Sequence, residues 1–218
     1  MKEIPLIIIG ASFAFEVIDL IDDINKTKKQ NIKVVGILDD NKDYRNKRIS
    51  NIPVLGQIKD INRFKKEKIN LSINNFRSRF VQKKIIKKFS LKPNRFLTLV
   101  HPNSFIGSNA KIGYGTVIFQ YVNIWSNVIV KNNTRISPLT SITPGCIIGN
   151  NCTISHGVKI GVNSIIKDEC FIGSASVISE RIKLSSGIMV CENSYVNKSI
   201  NVKNSILLGN PARIIAKS

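Results

Sequence analysis

The stretch from Ser141 to Gly161 reads SITPGCIIGNNCTISHGVKIG and places an isoleucine at every sixth position. The same spacing extends in both directions, from Ile106 to Val202, with isoleucine, leucine or valine at all seventeen positions. An α-helix cannot produce this pattern, because its apolar face repeats about every 3.6 residues. Residues two apart share one face of a β-strand, so the unit of the repeat is a short strand followed by a turn.

Six-residue units of this kind bury their aliphatic side chains only by stacking on the next coil of the same chain. Three units per triangular coil give 18 residues per turn, and a spacing of about 4.8 Å per coil makes the column roughly 25 to 30 Å long. Residues 98–218 are therefore predicted to form a hexapeptide β-helix. Cys146, Cys152 and Cys170 precede repeat aliphatics by two residues, so we expect them in its core as small apolar side chains.

The first half of the chain alternates short aliphatic runs with helical patterns, which is typical of a small parallel α/β domain. Phe15, Ile18, Ile21 and Ile24 form one helical stripe, and a second helix is expected between Phe80 and Phe89. The predicted strands are Pro5–Ile9, Ile32–Leu38, Asn51–Gly56, Leu71–Ile73 and Leu97–Val100.

Residues 1–97 are thus predicted to be a Rossmann-like domain in front of the β-helix, which gives an α/β plus β fold class. Ligands of such sheets bind at the carboxyl ends of the strands. The segment from Gly10 to Phe13 and the pair Asp39 and Asp40 follow the first two strands, so they form the expected rim of a pocket.

Composition excludes several classes of protein. The 218 residues are 43% hydrophobic and 22% charged, as in ordinary globular proteins, and no apolar run is long enough to span a membrane. A cytoplasmic location is therefore expected. The four cysteines lack close pairing, so we expect free thiols. Two histidines are too few for a histidine-rich zinc site, and no metal is expected.

The formal net charge of +19 favours an anionic partner. Nucleotide sugars, an anionic membrane surface and nucleic acid would all be attracted, and a simple solvated surface would carry the same charge. The basic residues are not interleaved with clustered aromatic residues and match no nucleic-acid motif. Nucleic acid is therefore not the expected partner, whereas peripheral association with an anionic membrane stays open.

The order of several short motifs resembles hexapeptide acyltransferases of the sialic acid O-acetyltransferase and nucleotide-sugar N-acetyltransferase type. The resemblance spans nearly the whole chain. Its landmarks are Ile7-Ile8-Ile9-Gly10-Ala11-Ser12, Gly36-Ile37-Leu38-Asp39-Asp40, Pro53-Val54-Leu55-Gly56, Ile73-Asn74-Asn75 with Arg79, Val100-His101-Pro102 and Gly209-Asn210-Pro211-Ala212-Arg213.

The resemblance implies a homotrimer with a left-handed β-helix, an N-terminal domain that binds a nucleotide-linked amino sugar, and acetyl-CoA or another acyl-CoA in a groove between subunits. It also implies that a histidine in a repeat acts as general base when the sugar amine or hydroxyl attacks the thioester. Thr153 and Ser174 are the implied acyl-CoA-binding residues. The implied substrate-binding residues are Gly10, Ser12, Phe13, Asp39, Asp40 and Asn74.

The sequence departs from the family at the base. Counting without gaps from His101, the family's catalytic histidine falls on Pro144, which cannot accept a proton. Thr153 replaces a second groove histidine, and Phe13 with Ala14 replaces a Gly-His pair. His156 holds the same place in its repeat as Pro144, but twelve residues later, which is two thirds of a coil.

His156 is therefore the predicted catalytic residue, and three readings follow. Either the base has moved to His156, or transfer proceeds by substrate positioning without an imidazole, or catalysis is lost. The predicted function is acyl transfer from acyl-CoA to the amine or hydroxyl of a nucleotide-linked or glycan-precursor sugar, in surface-glycan biosynthesis. The alternatives are a non-catalytic nucleotide-sugar-binding or scaffold trimer and a polyanion-binding protein. His101 is expected to be structural, and Trp125 to face outward.

Overall fold

The computed structural model describes residues 2–28, 30–73 and 80–217. The chain begins with a sheet whose strands, in spatial order, are β3, β4, β2, β1 and β5. Pairing is parallel except between β3 and β4, which form an antiparallel hairpin. The elements are β1 Ile4–Ile9, α1 Ala14–Lys28, β2 Ile32–Leu38, β3 Arg48–Ile49, β4 Ile52–Gly56, β5 Lys68–Leu71 and α2 Val81–Lys88, with 3₁₀ turns at Lys42–Tyr44, Ile58–Arg63 and Pro93–Arg95.

Alternate residues of β1 pack on opposite sides of this sheet. Leu6 and Ile8 join a core cluster with the apolar stripe of α1, and Ile7 and Ile9 join a second cluster that includes Ile85 of α2. The predicted strand Leu71–Ile73 was wrong in position, because β5 covers Lys68–Leu71. Its register is set by parallel pairing with β1, which brings the polar Asn70 into the core, where composition alone would not place it.

From Leu99 the chain forms two-residue strands that recur every six residues up to Val196, as the aliphatic period predicted. The strands are β6 Leu99–Val100, β7 Phe105–Ile106, β8 Lys111–Ile112, β9 Val117–Ile118, β10 Asn123–Ile124, β11 Ile129–Val130, β12 Arg135–Ile136, β13 Ser141–Ile142, β14 Ile147–Ile148, β15 Thr153–Ile154, β16 Lys159–Ile160, β17 Ile165–Ile166, β18 Phe171–Ile172, β19 Val177–Ile178, β20 Lys183–Leu184, β21 Met189–Val190 and β22 Tyr195–Val196.

Every third strand pairs in parallel, so the column has three faces. Face A contains β6, β9, β12, β15, β18 and β21. Face B contains β7, β10, β13, β16, β19 and β22, and face C contains β8, β11, β14, β17 and β20. Face A continues into a terminal hairpin of β23 Ser205–Gly209 and β24 Ala212–Lys217, since β23 pairs with β21.

The second residue of each strand from β9 to β22 points inward, and together these residues make one continuous core, as predicted. Ile106 is 36% exposed, because β7 is the first rung of face B and only β10 stacks on it. The small residues two positions earlier are also buried, and their polar groups bond to the neighbouring coil. Thr134 Oγ1, for example, donates to the carbonyl of Gly149 at 2.7 Å, and Cys152 Sγ donates to that of Lys167 at 3.2 Å. The predicted core position of the cysteines is confirmed for Cys146, Cys152 and Cys170, all buried free thiols.

Two details of the predicted repeat were wrong. Leu99–Val100 pairs with β9, so this strand is the first rung of face A rather than a strand of the parallel sheet. Val202, the last aliphatic of the period, is 41% exposed, because the chain has left the regular coil after β22 and is turning toward the terminal hairpin.

A ladder of polar side chains occupies the corner between faces C and A. The amide nitrogen Nδ2 of Asn132 donates to Oδ1 of Asn150 at 3.0 Å, and Nδ2 of Asn150 donates to Oδ1 of Asp168 at 3.1 Å. The same oxygens accept the backbone N–H groups of Asn132 and Asn150. The ladder therefore satisfies turn groups of successive coils.

The N-terminal domain packs on face A. The α1 side of its core includes Leu99, Val117 and Phe119 from the column, and Lys83 of α2 reaches Glu169 with an N–O distance of 3.3 Å. The predicted fold class is thus confirmed, with a Rossmann-like parallel α/β domain followed by a left-handed parallel β-helix. Within the described ranges, neither helix has the length and hydrophobicity needed to cross a membrane.

Candidate active site

A groove runs between α1 and face A, and we call it the α1 groove. It holds a cavity of about 430 Å³ and a neighbouring cavity of about 200 Å³. Glu16 of α1 and His156 of the column line both cavities. The two cavities therefore meet at the imidazole that the sequence singled out as a base.

The register of the β-helix positions the side chains of the smaller cavity. Arg135, Thr153 and Phe171 are paired in sequence along β12, β15 and β18, so they occupy neighbouring rungs of face A. Consecutive rungs lie about 4.8 Å apart. His156 and Ser174 stand at the corner that follows face A, and both line the cavity together with Thr153.

His156 is exposed in the groove. Partial burial lowers the pKa of its imidazole, and the positive charge of Arg135 lowers this pKa further. A histidine with a pKa below its ordinary value of about 6.5 is neutral at pH 7 and can accept a proton. The ring therefore has the protonation state that a general base needs.

Arg135 is the charged residue on face A that sequence reasoning missed. It is 5% exposed, its Nη2 forms an ion pair with Glu16, and its guanidinium carbon lies 4.1 Å from the ring centroid of Phe119. Burial lowers the pKa of Arg135 to about 10, so the group stays charged at neutral pH. The outward positions at 18-residue intervals, Val117, Phe171 and Met189, are apolar, and this stripe was the available signal for a covered face.

The larger cavity has an acidic wall. Glu16, Asp19 and Asp23 lie along one face of α1, opposite His101 and His156. His101 Nδ1 accepts the backbone N–H of Asn103 at 3.0 Å, so its proton is on Nε2, which donates to Asp23 at 3.2 Å. His101 is buried with both nitrogens engaged, which agrees with the structural role expected for it.

A separate region at the carboxyl edge of the parallel sheet contains the other predicted residues. Asp39 accepts the backbone N–H of Ala11 at 2.7 Å, and Asp40 accepts that of Ile58 at 2.9 Å. Both carboxylates thus hold the loops at this edge together. Gly10 has φ +102°, and a Cβ there would come within 2.8 Å of the carbonyl oxygen of Ser72, so only glycine fits.

Two cavities open at this edge. One of about 240 Å³ is lined by Asp39 and Arg45, and another of about 450 Å³ by Asp40, Lys59, Lys84 and Lys88. Three lysines around one cavity give it a positive potential suited to an anionic group such as a diphosphate. Two of these lysines, Lys84 and Lys88, belong to α2, so this helix forms part of the cavity wall.

The predicted site residues thus form two groups. Thr153, His156 and Ser174 come together in the α1 groove, and Phe13 lies with them, its ring centroid 5.8 Å from the guanidinium of Arg135. A second group lies at the sheet edge and consists of Gly10, Ser12, Asp39 and Asp40; here the hydroxyl of Ser12 is 3.4 Å from that of Tyr44. Asn74 lies outside the described residues.

Pro144, where the resemblance places the base, lies at the corner between faces B and C and lines neither cavity of the α1 groove. The buried thiols do not offer a nucleophile in its place, because burial raises the pKa of Cys146 and Cys152. No group of three or more histidine, cysteine, aspartate or glutamate side chains in the described part of the chain is arranged to hold a metal.

Comparison with known families gives two matches. Residues 5–87 match the PglD N-terminal domain, and residues 127–161 match the bacterial transferase hexapeptide family, described as six repeats. No curated protein matches the chain in sequence. The family resemblance predicted from the short motifs is therefore confirmed in both halves of the chain.

Solved structures of similar fold cover nearly the whole chain. The acetyltransferase domain of PglB from Neisseria gonorrhoeae superposes with a TM-score of 0.82 at 20% identity, over 97% of this chain and 99% of that one. PerB from Caulobacter crescentus, in complex with CoA and GDP-perosamine, gives 0.73 at 16% identity over 97% of each chain. WeeI from Acinetobacter baumannii AYE gives 0.67 at 21% identity, over 98% of this chain and 100% of that one. The chain therefore contains a PglD-type N-terminal domain over residues 5–87 and hexapeptide repeats over residues 127–161, joined in the fold that these solved structures share.

Proposed function

We propose that the protein is an acyl-CoA-dependent acyltransferase that transfers an acyl group, most simply acetyl, to the amine or hydroxyl of a nucleotide-linked or glycan-precursor sugar. The observation that carries this proposal is the exposed imidazole of His156 at the meeting point of the two α1-groove cavities. A base in that place can serve an acceptor in one cavity and a thioester in the other.

The proposed reaction is a direct transfer. His156 takes a proton from the acceptor amine or hydroxyl while that atom attacks the thioester carbonyl. Collapse of the tetrahedral intermediate expels the CoA thiolate, which takes the proton from His156. Thr153 and Ser174 line the cavity assigned to the acyl-CoA end.

The nucleotide part of the acceptor is proposed to bind at the carboxyl edge of the parallel sheet. Ligands of such sheets bind at the carboxyl ends of the strands, at the point where the strand order reverses. Here that point is at β1, which has β2 on one side and β5 on the other. Gly10 allows the loop after β1 to pass close to Ser72 at this edge, and the cavity bordered by Lys59, Lys84 and Lys88 supplies positive charge for a diphosphate. The structure of PerB with CoA and GDP-perosamine supports a ligand pair of this type.

A homotrimer is part of the proposal. Faces B and C carry exposed apolar side chains, whereas the described part of the N-terminal domain packs on face A. Trp125 is 45% exposed, as expected from its place after a repeat aliphatic, and makes an edge contact with Phe105 at 5.7 Å between ring centroids. A cavity of about 400 Å³ on face B extends from Thr143 to Tyr195. Association of three columns through these faces would remove the apolar surface from water. A cytoplasmic location, where acyl-CoA is available, completes the proposal.

One observation favours a second function. Pro144 occupies the place implied for the family's base, so a chain that keeps the shape and has lost catalysis would be a nucleotide-sugar-binding or scaffold trimer.

The test is release of CoA thiol from acetyl-CoA in the presence of a panel of nucleotide-linked amino sugars. We expect acceptor-dependent release, reduced about 100-fold or more in His156→Ala, in line with the usual contribution of a general base. Glu180→Gln, an exposed change at the Pro144 corner, is the matched control and should retain full activity. Unchanged release by His156→Ala would remove the proposed base, and no release with any acceptor would favour the scaffold.

A further inference from the structure

The guanidinium of Arg135 is held in the wall of the α1 groove by contacts on two sides. Its Nη2 forms an ion pair with Glu16, and the ring of Phe119 packs against the guanidinium carbon. These contacts fix the plane of the group. They use one of its two terminal nitrogens.

The other terminal nitrogen, Nη1, is buried and has no hydrogen-bond partner among the described residues. Buried donors in folded proteins are nearly always paired, and a buried charged donor without an acceptor is costly. An arginine kept in this state inside a cavity wall is therefore a candidate for binding an acceptor atom that arrives with a ligand.

The cavity indicates which acceptor atom fits. Arg135 is on the rung next to Thr153, and His156 follows Thr153 at the adjoining corner. Glu16 and Glu192 line the same cavity, so a doubly charged phosphate would meet two carboxylates. A carbonyl oxygen avoids this repulsion, because it is neutral when it binds and gains charge only during the reaction.

We propose that Nη1 of Arg135 binds the carbonyl oxygen of the acyl-CoA thioester and donates to the oxyanion formed when the acceptor attacks. The inference rests on the proposed acyl transfer. As the new carbon–nitrogen or carbon–oxygen bond forms, the carbonyl π pair moves onto the oxygen facing Nη1, and His156 takes the acceptor's proton. When the carbonyl re-forms, the carbon–sulfur bond breaks and the thiolate takes that proton. The ion pair with Glu16 positions the guanidinium before the reaction begins.

The first test is Arg135→Lys. A lysine retains the positive charge and can pair with Glu16, but its single ammonium cannot serve Glu16 and a carbonyl oxygen in two fixed directions. We expect kcat to fall about 100-fold or more, the usual effect of removing one oxyanion donor. Glu16→Gln keeps the guanidinium and should lose less than about tenfold. Arg181→Lys, an exposed arginine elsewhere on the column, is the matched control and should keep wild-type kcat.

The second test does not require turnover. Calorimetry with acetyl-CoA and with free CoA should show that the wild-type protein prefers acetyl-CoA, and that Arg135→Lys loses about tenfold or more of this preference while its affinity for CoA is retained.

Wild-type kcat in Arg135→Lys, an equal loss in Glu16→Gln, or an absent or unaltered preference for acetyl-CoA would overturn the inference. If the wild-type protein transfers to no acceptor, the proposed function fails separately. The calorimetric preference alone then decides whether Arg135 binds the carbonyl.

Discussion

The charges around His156 decide whether its imidazole can act as a base. Arg135 contributes a positive charge, and Glu16 and Glu192 contribute negative charges to the cavity that they share with His156. Asp19 and Asp23 add two carboxylates across the larger cavity. The pKa of His156 is nevertheless lowered, first by partial burial and then by the positive charge of Arg135.

We expect His156 to titrate below about 6.5, the ordinary value for histidine. A lowered pKa means that the proton leaves at lower pH, so the acid limb of the kcat/KM profile should also lie below this value. Removing the positive charge in Arg135→Met should raise the pKa of His156 and move this limb to higher pH. NMR titration can measure the shift, since the chain has only two histidines and His101 provides a second signal. A lower or unchanged pKa in the variant would contradict the assignment.

At the residue scale the sequence named three residues, Thr153, His156 and Ser174, that the structure brings together in one cavity, but it did not predict what surrounds them. The period of six placed His156 two thirds of a coil from Pro144, and the structure agrees. The period could not show that the N-terminal domain packs on face A. This packing depends on side chains of α1, which lie far from the strands of face A in the sequence. Glu16 and Arg135 are 119 residues apart, so their pairing became visible only in three dimensions.

The turns of the β-helix depend on glycine where two coils approach closely. A Cβ added at Gly161 would come within 2.6 Å of the backbone nitrogen of Glu180, whereas one added at Gly157 would meet nothing within 4 Å. The conflict at Gly161 involves backbone on both sides, so no side-chain rotation relieves it.

Gly161→Ala should therefore destabilise the protein by about 2 to 3 kcal/mol, at the upper end of ordinary single substitutions. Gly157→Ala is the comparison, with a cost of about 1 kcal/mol from its positive φ of +65° alone. Thermal unfolding followed by circular dichroism measures both. Equal losses for the two variants would show that close coil packing is not the cause.

At the element scale, the β-helix was predicted almost rung by rung, because each unit buries its aliphatic in the same way. The bounds of the strands in the α/β domain were predicted less accurately. β5 begins at Lys68, earlier than the apolar run from Leu71 to Ile73 suggested, since pairing with β1 sets its position. Val202 falls on the six-residue period but is exposed outside the regular coil, because a repeat pattern does not specify where the coil ends.

At the scale of the whole molecule, the three faces of the column have different surroundings. Face A is covered by the N-terminal domain and contains the α1 groove, while faces B and C expose apolar side chains such as Phe105, Trp125 and Ile129. A net charge of +19 opposes unspecific association, so a stable oligomer must gain enough from these patches to overcome repulsion.

Trp125→Glu should accordingly lower the mass of the particle in solution from three chains toward one, because a carboxylate would be buried without a partner at the interface. Leu55→Glu changes an equally exposed apolar residue of the N-terminal domain, at 43% exposure against 45%, and should leave the mass unchanged. Light scattering after gel filtration distinguishes these outcomes. A wild-type protein that elutes as one chain would remove the trimer from the proposal.

The polar ladder of Asn132, Asn150 and Asp168 has a consequence for how the column finds its alignment during folding. Rungs filled with near-identical aliphatics are interchangeable, so a slip by one six-residue unit would cost the core little. Such a slip would set Asn132 against Pro144 or His156 and would leave amide groups of the corner without acceptors. Three side chains that bury almost no apolar area thus select one stacking out of several that the hydrophobic interior would tolerate.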